Sequence, residues 1–351
     1  TSSPDTVSPA SLNDDRPLTV NNLTVNEGSP YAVFTVTGAA GQFVSLETAN
    51  GTASASDYGS GLEYFDGTAW QTYTPGSFVQ IPTSGTTLLV RTTITNDTPA
   101  DNGETFTLKA TNTGTTSATG TATILDNGTG NIFSGTSGTP DANVPASSLN
   151  DDRPLTVSSV TVNEGSPYAV FTVSGTTGEL TKLSLSSGTA TVGTDSGTAL
   201  QYYDPTANSG AGAWVDYTPD SFIAIPAGGL LVRTAVTNDA TADNNETFNL
   251  VATSPGGVAV SGTAAIKDDG TGSLFSGANI TGTPDAPGTN GAPATLNDDR
   301  PTISIGNVRV YEASNEYAVT TVSLNNAPTG TVTFTPTLRS GSATVGIDNQ
   351  V

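Results

Sequence analysis

Acidic residues recur at matched places along this chain. A first stretch carries Glu27, Asp57, Asp97, Asp101, Glu104 and Asp126. A second carries Glu164, Asp195, Asp239, Asp243, Glu246, Asp268 and Asp269, and a third Glu312 and Asp348. Carboxylates gathered at one place repel one another unless something neutralises them. A hard cation does so, taking about six to eight oxygens, mostly carboxylate and carbonyl, from loops. The plainer reading is that Asp and Asn are turn formers. For one Asp alone the turn reading is the stronger; for the recurring set a cation site is. Paired carboxylates also serve glycosidases, but here they sit in short loops repeated in every domain, so no enzyme is expected.

The chain has no Cys, no His and no Met. Disulfides, thiol catalysis, thiolate metal sites and imidazole bases are therefore excluded. A metal must be held by oxygen alone, which means Ca²⁺ or Mg²⁺. Freedom from sulfur suits a secreted protein exposed to oxidation. With 10 Lys and Arg against 32 Asp and Glu, the formal net charge is −22. Such a chain repels nucleic acid and anionic lipid and attracts divalent cations. No signal peptide and no long apolar run appears.

These carboxylates are organised by a longer repeat. Leu-Asn-Asp-Asp-Arg-Pro begins at 12, 149 and 296, so the spacings are 137 and 147 residues. Asp151, Asp152, Asp298 and Asp299 belong to the second and third copies. A period this long fits one whole domain rather than a solenoid unit. We expect two whole domains and part of a third: a linker or tail of a preceding repeat at 1–17, sandwiches at 18–127 and 155–269, linkers at 128–154 and 270–301, and an incomplete sandwich at 302–351. The chain reads as an excerpt, opening in the tail of one repeat and closing inside another.

Within each repeat the apolar residues alternate as half-buried strands do. In the first, Leu18 to Asn26 reads as one strand. Ala32, Phe34 and Val36 mark a second, and Phe43 to Thr48 a third. Thr86 to Thr95 is the longest, with Leu88, Val90 and Ile94 on one face. Phe106, Leu108 and Ala110 follow, then Ala122 and Ile124. That is about seven strands joined by Gly, Asn, Asp and Ser turns, and no helical period. The fold class expected is all-β: tandem immunoglobulin-like antiparallel β-sandwiches joined by Gly/Ser/Thr/Pro-rich linkers. The linkers carry paired apolar residues, Ile132-Phe133 and Leu274-Phe275. Such pairs suit a segment docked on a domain; the alternative is a flexible spacer. A pole where alternate loops meet would gather Glu27, Asp97 and Asp126, with Asp57 within reach.

Several stretches together resemble the Calx-beta domain. They are Val25-Asn26-Glu27-Gly28, Gly51-Thr52-Ala53 through Asp57-Tyr58, Asn96-Asp97, Glu104-Thr105-Phe106 and Ala122-Thr123-Ile124-Leu125-Asp126. Gly188-Thr189-Ala190-Thr191-Val192-Gly193-Thr194-Asp195 and the run from Asp299-Arg300-Pro301-Thr302-Ile303-Ser304-Ile305 add to them. The resemblance implies an immunoglobulin-like sandwich that binds Ca²⁺ near its distal loops. It implies ligands at Glu27, Asp57, Asp97, Glu104 and Asp126, and at Glu164, Asp195, Asp239, Glu246 and Asp268. It further implies that the Asp-Asp-Arg-Pro runs complete a site at the junction with the next domain. The chain departs from the family in two ways: residues 127–150 separate Asp126 from Asp151, and Asp195-Ser196 stands where the first repeat has Asp57-Tyr58.

The function expected is a structural segment of an extracellular bacterial adhesin stalk, surface fibre or surface layer, stiffened by Ca²⁺. Its partners would be neighbouring copies of the repeat and other chains of a fibre or layer, with no nucleic acid and no membrane insertion. The alternative is a glycan-binding module using Tyr64, Trp70 and Tyr73, matched by Tyr202, Tyr203, Trp214 and Tyr217; an exposed coplanar pair of rings would favour it. The third repeat has only its first strands, with Val308, Val310, Val319 and Val322 on them. Either its remainder lies outside this sequence or a neighbouring chain completes it by strand addition.

Overall fold

Each long strand-rich stretch closes into two facing five-stranded sheets. The structure, a computed structural model, describes residues 13–135, 137–311, 317–325, 331–340 and 342. In the first repeat the strands are β1 (Thr19–Val20), β2 (Leu23–Asn26), β3 (Tyr31–Thr37), β4 (Phe43–Asn50), β5 (Glu63–Phe65), β6 (Trp70–Thr72), β7 (Val79–Gln80), β8 (Thr87–Thr93), β9 (Glu104–Asn112) and β10 (Ser117–Leu125). One sheet runs β1-β3-β8-β5-β6 and the other β2-β10-β9-β4-β7. The second repeat uses β11 (Thr156–Val157), β12 (Val160–Asn163), β13 (Tyr168–Ser174), β14 (Leu180–Ser187), β15 (Gln201–Asp204), β16 (Ala213–Asp216), β17 (Ile223–Ala224), β18 (Leu230–Ala235), β19 (Glu246–Thr253) and β20 (Ala259–Lys267) in the same order. Both are all-β sandwiches of immunoglobulin-like architecture.

The alternating residues face inward as their period demands. Phe34, Val36, Leu88, Val90, Phe106, Leu108 and Ala110 are fully buried, and Phe34 meets Phe106 edge to face. Burying each large side chain contributes roughly 1.5–3 kcal/mol. Phe171, Val232, Phe248 and Leu250 repeat the pattern.

Three strand expectations change. Leu18 to Asn26 is two strands: β1 pairs with β3 in one sheet, whereas β2 pairs with β10 in the other, and in parallel. The crossing falls at Asn21 and Asn22, whose side-chain oxygens accept from the Thr35 and Thr121 amides and take over ladder positions. The longest strands of the first sandwich are β9 and β10, nine residues each; β8 has seven. The strands number ten rather than about seven, because Leu18 to Asn26 splits and Glu63–Phe65, Trp70–Thr72 and Val79–Gln80 also pair.

The segment after β10 turns back over the sandwich it has left. Asn131 bonds both the Asn26 amide and the Thr24 carbonyl, the Phe133 amide donates to Ser29 Oγ, and Phe133 is buried in the first core. We call it the strap. It covers the outer face of the β3–β8 pair, which is why Val33, pointing away from the sandwich core, is also fully buried. Arg91 pins it: the guanidinium lies 4.0 Å from the Tyr31 ring and 4.2 Å from the Trp70 ring and donates to the Gly135 carbonyl at 2.8 Å. Arg233 does the same with Tyr168, Trp214 and Gly277.

In the third repeat the described strands are β21 (Ile303–Ile305) and β22 (Val322–Leu324), an antiparallel pair. Val308, Val310, Val319 and Val322 are exposed there. Among the described residues no helix is long and apolar enough to cross a membrane.

Candidate metal centre

The acidic pole of the first sandwich is built where β2 and β10 end side by side. Their parallel register sets Leu125 against Asn26, so the next residues, Asp126 and Glu27, leave the sheet together. The strap then returns the second Leu-Asn-Asp-Asp-Arg-Pro run to this end. Asn127 bridges Asp151, and the Asp152 amide donates to Asp126 Oδ1 at 3.0 Å. One carboxylate oxygen from each of Glu27, Asp126 and Asp152 lies within 4.8 Å of the others.

These three groups are 4, 2 and 3 % exposed. Glu27 Oε1 accepts from the Asp97 amide at 3.0 Å. Glu27 Oε2, Asp126 Oδ2 and both Asp152 oxygens have no hydrogen-bond partner among the described residues. Burial and the neighbouring carboxylates push Glu27 up to about 8 and Asp126 to about 6, and burial raises Asp152 also. Buried carboxylates without donors cost several kcal/mol when ionised alone. Their residue types and their closeness, one oxygen from each, fit the inner half of an oxygen-only cation site, where a divalent ion would offset the burial of these carboxylates.

A second group lies alongside. Asp57, from the loop after β4, joins Asp101 and Glu104 within the same 4.8 Å limit. Burial and the hydrogen-bonded Asp57 raise Glu104 to about 7. Burial also raises Asp57, but hydrogen bonds from Ser54 and Ser56 outweigh it and hold this carboxylate ionised. Asp97 stands between the groups, raised by burial and by Asp101 and Asp57, with its Oδ1 buried and unpartnered among the described residues.

The second sandwich repeats the inner group with Glu164, Asp268 and Asp299. Glu164 Oε1 accepts from the Asp239 amide at 2.8 Å, and the Asp299 amide donates to Asp268 Oδ1 at 3.0 Å. Burial and the charges of Asp268 and Asp239 push Glu164 up to about 7. Glu246, coupled to Asp195 and Asp243, is likewise raised to about 7 by burial and these charges.

The remaining acidic candidates are engaged elsewhere. Asp151 takes Arg153 in a two-bond fork of 2.8 and 2.6 Å, and Asp298 takes Arg300 at 2.7 and 2.6 Å. Asp269 accepts from the Thr271 amide and hydroxyl and from Asn244, as Asn127 does from Thr129 in the first repeat. Glu312 and Asp348 lie outside the described residues.

The same run also touches the next sandwich. The Asp151 carbonyl accepts from the Gly256 amide in the β19–β20 turn. A Cβ at Gly256 would stand 1.9 Å from Asp152 Oδ1, so only glycine permits this approach. Asp14 and Asp15 meet Gly114 of the first sandwich in the same way. The run at 149–154 is therefore a joint, with Asn150 and Asp152 on the upstream pole and its backbone on the downstream turn; the first run shows the downstream contact and the third the upstream one.

The aromatic residues are spent on packing. Tyr73 and Tyr217 are buried, each hydroxyl accepting from a backbone amide (Leu46 or Leu183) and donating to a carbonyl (Ser77 or Ser221). Trp70 and Trp214 lie against the strap-pinning arginines. Phe65–Trp70 and Tyr203–Trp214 are tilted by 56° and 66°, not coplanar. Tyr64 and Tyr202 pack at the edge of their cores.

Sequence reasoning passed over the amides beside these carboxylates. Asn26, Asn96 and Asn150 link to one another, and Asn163, Asn238 and Asn297 do so in the second repeat. The signal was available: each recurs immediately before an acidic residue.

No family model and no curated protein matches the chain. Among solved structures it is similar to the crystal structure of CBD12 from CALX1.2, at 14% identity, over 67% of this chain and 79% of that one, with a TM-score of 0.25. It is also similar to a tetra-tandem repeat in the extending region of a large adhesion protein, at 14% identity, over 89% of this chain and 63% of that one, with a TM-score of 0.25. Protocadherin gamma B7 extracellular cadherin domains 1–4 match at 12% identity over 89% of this chain and 60% of that one, with a TM-score of 0.35. At TM-scores this low the likenesses lend no weight to a function, and the assignment of the two sandwiches rests on their own sheets.

Proposed function

We propose that this chain is a structural segment of an extracellular repeat protein, such as an adhesin stalk, surface fibre or surface layer, whose joints are stiffened by Ca²⁺. One observation carries the reading: in both repeats the buried acidic group is completed by an Asp from the run that enters the next domain. Glu27, Asp126 and Asp152 would hold an inner ion, and Asp57, Asp97, Asp101 and Glu104 an outer one. In the second repeat Glu164, Asp268 and Asp299 would hold the inner ion, and Asp195, Asp239, Asp243 and Glu246 would face the outer position. The ion supplies positive charge to carboxylates that burial otherwise penalises. The residues supply oxygens from three separate segments, so binding fixes those segments together. Ca²⁺ suits this mixed, loop-borne set better than Mg²⁺, which demands near-ideal octahedral geometry. The partners are neighbouring repeats in the same chain and other chains of the same assembly.

The test is thermal unfolding of the chain in EGTA and in millimolar Ca²⁺, with hydrogen exchange across residues 149–154. Both melting temperature and protection at the joint should rise with Ca²⁺ and saturate. Neither moving would refute a cation-stiffened array.

A further inference from the structure

The carboxylates of the inner group sit on a frame of neutral amides bonded to one another and to backbone. Asn26 is fully buried at the end of β2 and makes five hydrogen bonds. Its Nδ2 donates to the carbonyls of Leu125 (3.3 Å), Thr129 (2.8 Å) and Asn150 (3.1 Å). Its Oδ1 accepts from the amides of Gly28 (3.0 Å) and Asn150 (2.8 Å). One side chain thus ties together the end of β10, the start of the strap and the returning joint run. Asn150 then extends the chain of amides, its Nδ2 donating to Asn96 Oδ1 at 2.7 Å.

The placement of these amides is regular. Asn26 immediately precedes Glu27, Asn96 immediately precedes Asp97, and Asn150 stands two residues before Asp152. The second repeat copies the frame. Asn163 donates to the carbonyls of Lys267, Thr271 and Asn297 at 3.2, 2.8 and 3.0 Å, and accepts from the Gly165 and Asn297 amides. Asn297 Nδ2 donates to Asn238 Oδ1 at 2.8 Å. Asn26 and Asn163 have both side-chain atoms bonded, whereas Asn150 Oδ1 and Asn297 Oδ1 are buried without a partner among the described residues. A buried amide bonded at both atoms is specific in a way a greasy side chain is not, because any shift leaves a buried polar group unpaired. The frame is also neutral. It can hold three mutually repelling carboxylates near one point without adding to their repulsion.

We propose that Asn26–Asn150–Asn96, and Asn163–Asn297–Asn238, are the positioning residues of the cation site: they latch the joint run onto the upstream pole before any ion binds. This rests on the cation reading for its purpose, but the latch itself is separately observable. Asn26, whose oxygen already accepts two amides, is not a ligand in this assignment; it and the Asn150 backbone and Nδ2 act by fixing where Glu27, Asp97 and Asp152 stand.

The test compares the whole chain with Asn150→Ala and Asn26→Asp. Asn150→Ala lies in the run and leaves the sandwich core intact; Asn26→Asp keeps the acceptor and loses the donor. Hydrogen exchange in EGTA reads the latch without metal. The amides of Asn150 and Asp152 should be protected in the parent and exchange at least about tenfold faster in both variants, while β9 and β10 stay protected. Calorimetric titration with CaCl₂ reads the site. The inner site of the first repeat should weaken by about 10–100-fold, the usual cost of losing an orienting outer-shell group, while the second repeat, with its own frame, binds as before. Unchanged exchange at Asn150 and Asp152 would overturn the latch. Fast exchange with undiminished Ca²⁺ affinity would also overturn it, since the frame would then not position ligands. If the parent bound no Ca²⁺ at all, the cation reading would fail, and the exchange data would still decide the latch.

Discussion

Replacing Glu27 by Gln should make the protein more stable without Ca²⁺ and less responsive to it. Glu27 is buried; one oxygen accepts from the Asp97 amide and the other has no partner among the described residues. Gln keeps the accepting oxygen and puts an NH₂ donor in place of the orphaned one, in a side chain that lies beside Asp126 and Asp152. Burial pushes Glu27 up to about 8 from an ordinary 4.5. Each tenfold gain in proton affinity corresponds to about 1.4 kcal/mol, so at pH 7.5 taking Glu27 from its ionised form in the unfolded chain into the cation-free fold, where it is mostly protonated, costs at most about 4 kcal/mol. Solvent reaching the neighbouring loops reduces this, so the expected gain is about 2 kcal/mol. For a domain of this size that is roughly 6–10 °C in melting temperature. With Ca²⁺ at 10–100 times its dissociation constant the parent gains about 1.4–2.7 kcal/mol per site; the variant, lacking one anionic ligand, should gain less. The chain has two tryptophans, Trp70 in the first sandwich and Trp214 in the second. In a Trp214→Phe background, fluorescence therefore follows the first domain alone. The two melting curves should cross between EGTA and Ca²⁺. A variant less stable than the parent in EGTA, or one gaining as much from Ca²⁺, would refute the reasoning.

Other outcomes follow from the same contacts. The carboxyls raised in the fold — Glu27 to about 8, Glu104, Glu164 and Glu246 to about 7, Asp126 to about 6 — bind more protons folded than unfolded. Their contribution to cation-free stability is therefore fullest below about pH 4 and is lost as pH rises from there to 6–8, a slope that urea titrations in EGTA would read and that Ca²⁺ should flatten. Glu179 is fully buried where the first repeat has Gln42, which donates to the Arg16 carbonyl and accepts from the Ala39 amide; Glu179 accepts from Thr176 but leaves Oε1 without a partner among the described residues. Glu179→Gln should stabilise the second domain by about 1–2 kcal/mol at pH 7.5, followed by Trp214 in a Trp70→Phe background, with no gain at pH 4. Arg91→Met should cost about 2–3 kcal/mol, through two cation–π contacts and the Gly135 bond, and should speed amide exchange at Phe133.

The sandwich was legible because its signal is periodic. Ala32, Phe34 and Val36, or Phe106, Leu108 and Ala110, can face one core only as strands. The break at Asn21-Asn22 was not legible, because two side chains there replace backbone bonds, and hydropathy does not register that. Glu27, Asp126 and their counterparts could be singled out as recurring acids at strand ends. That Asp152 joins them while Asp151 pairs with Arg153 depends on one residue of register in a segment returning from far along the chain. The sequence places the two side by side and cannot separate their roles. The strap was visible only as the apolar pairs Ile132-Phe133 and Leu274-Phe275. Its hold by Arg91 needs the rings of Tyr31 and Trp70, and its hold by Arg233 those of Tyr168 and Trp214, each pair far apart in sequence.

The joint run has a consequence for the order in which the molecule is made. Asn26 must wait for Asn150, 124 residues later in the chain. A ribosome or translocation pore delivering the chain from its amino end releases Leu125, and with it both sheets of the first sandwich, before residues 150–152 emerge. During that interval Glu27 and Asp126 have no returning segment over them and keep their hydration. Burial of charge is the last event in each repeat, and it coincides with the arrival of the next. A growing array therefore carries its unfinished pole always at the leading repeat, and each newly made domain closes the one before it.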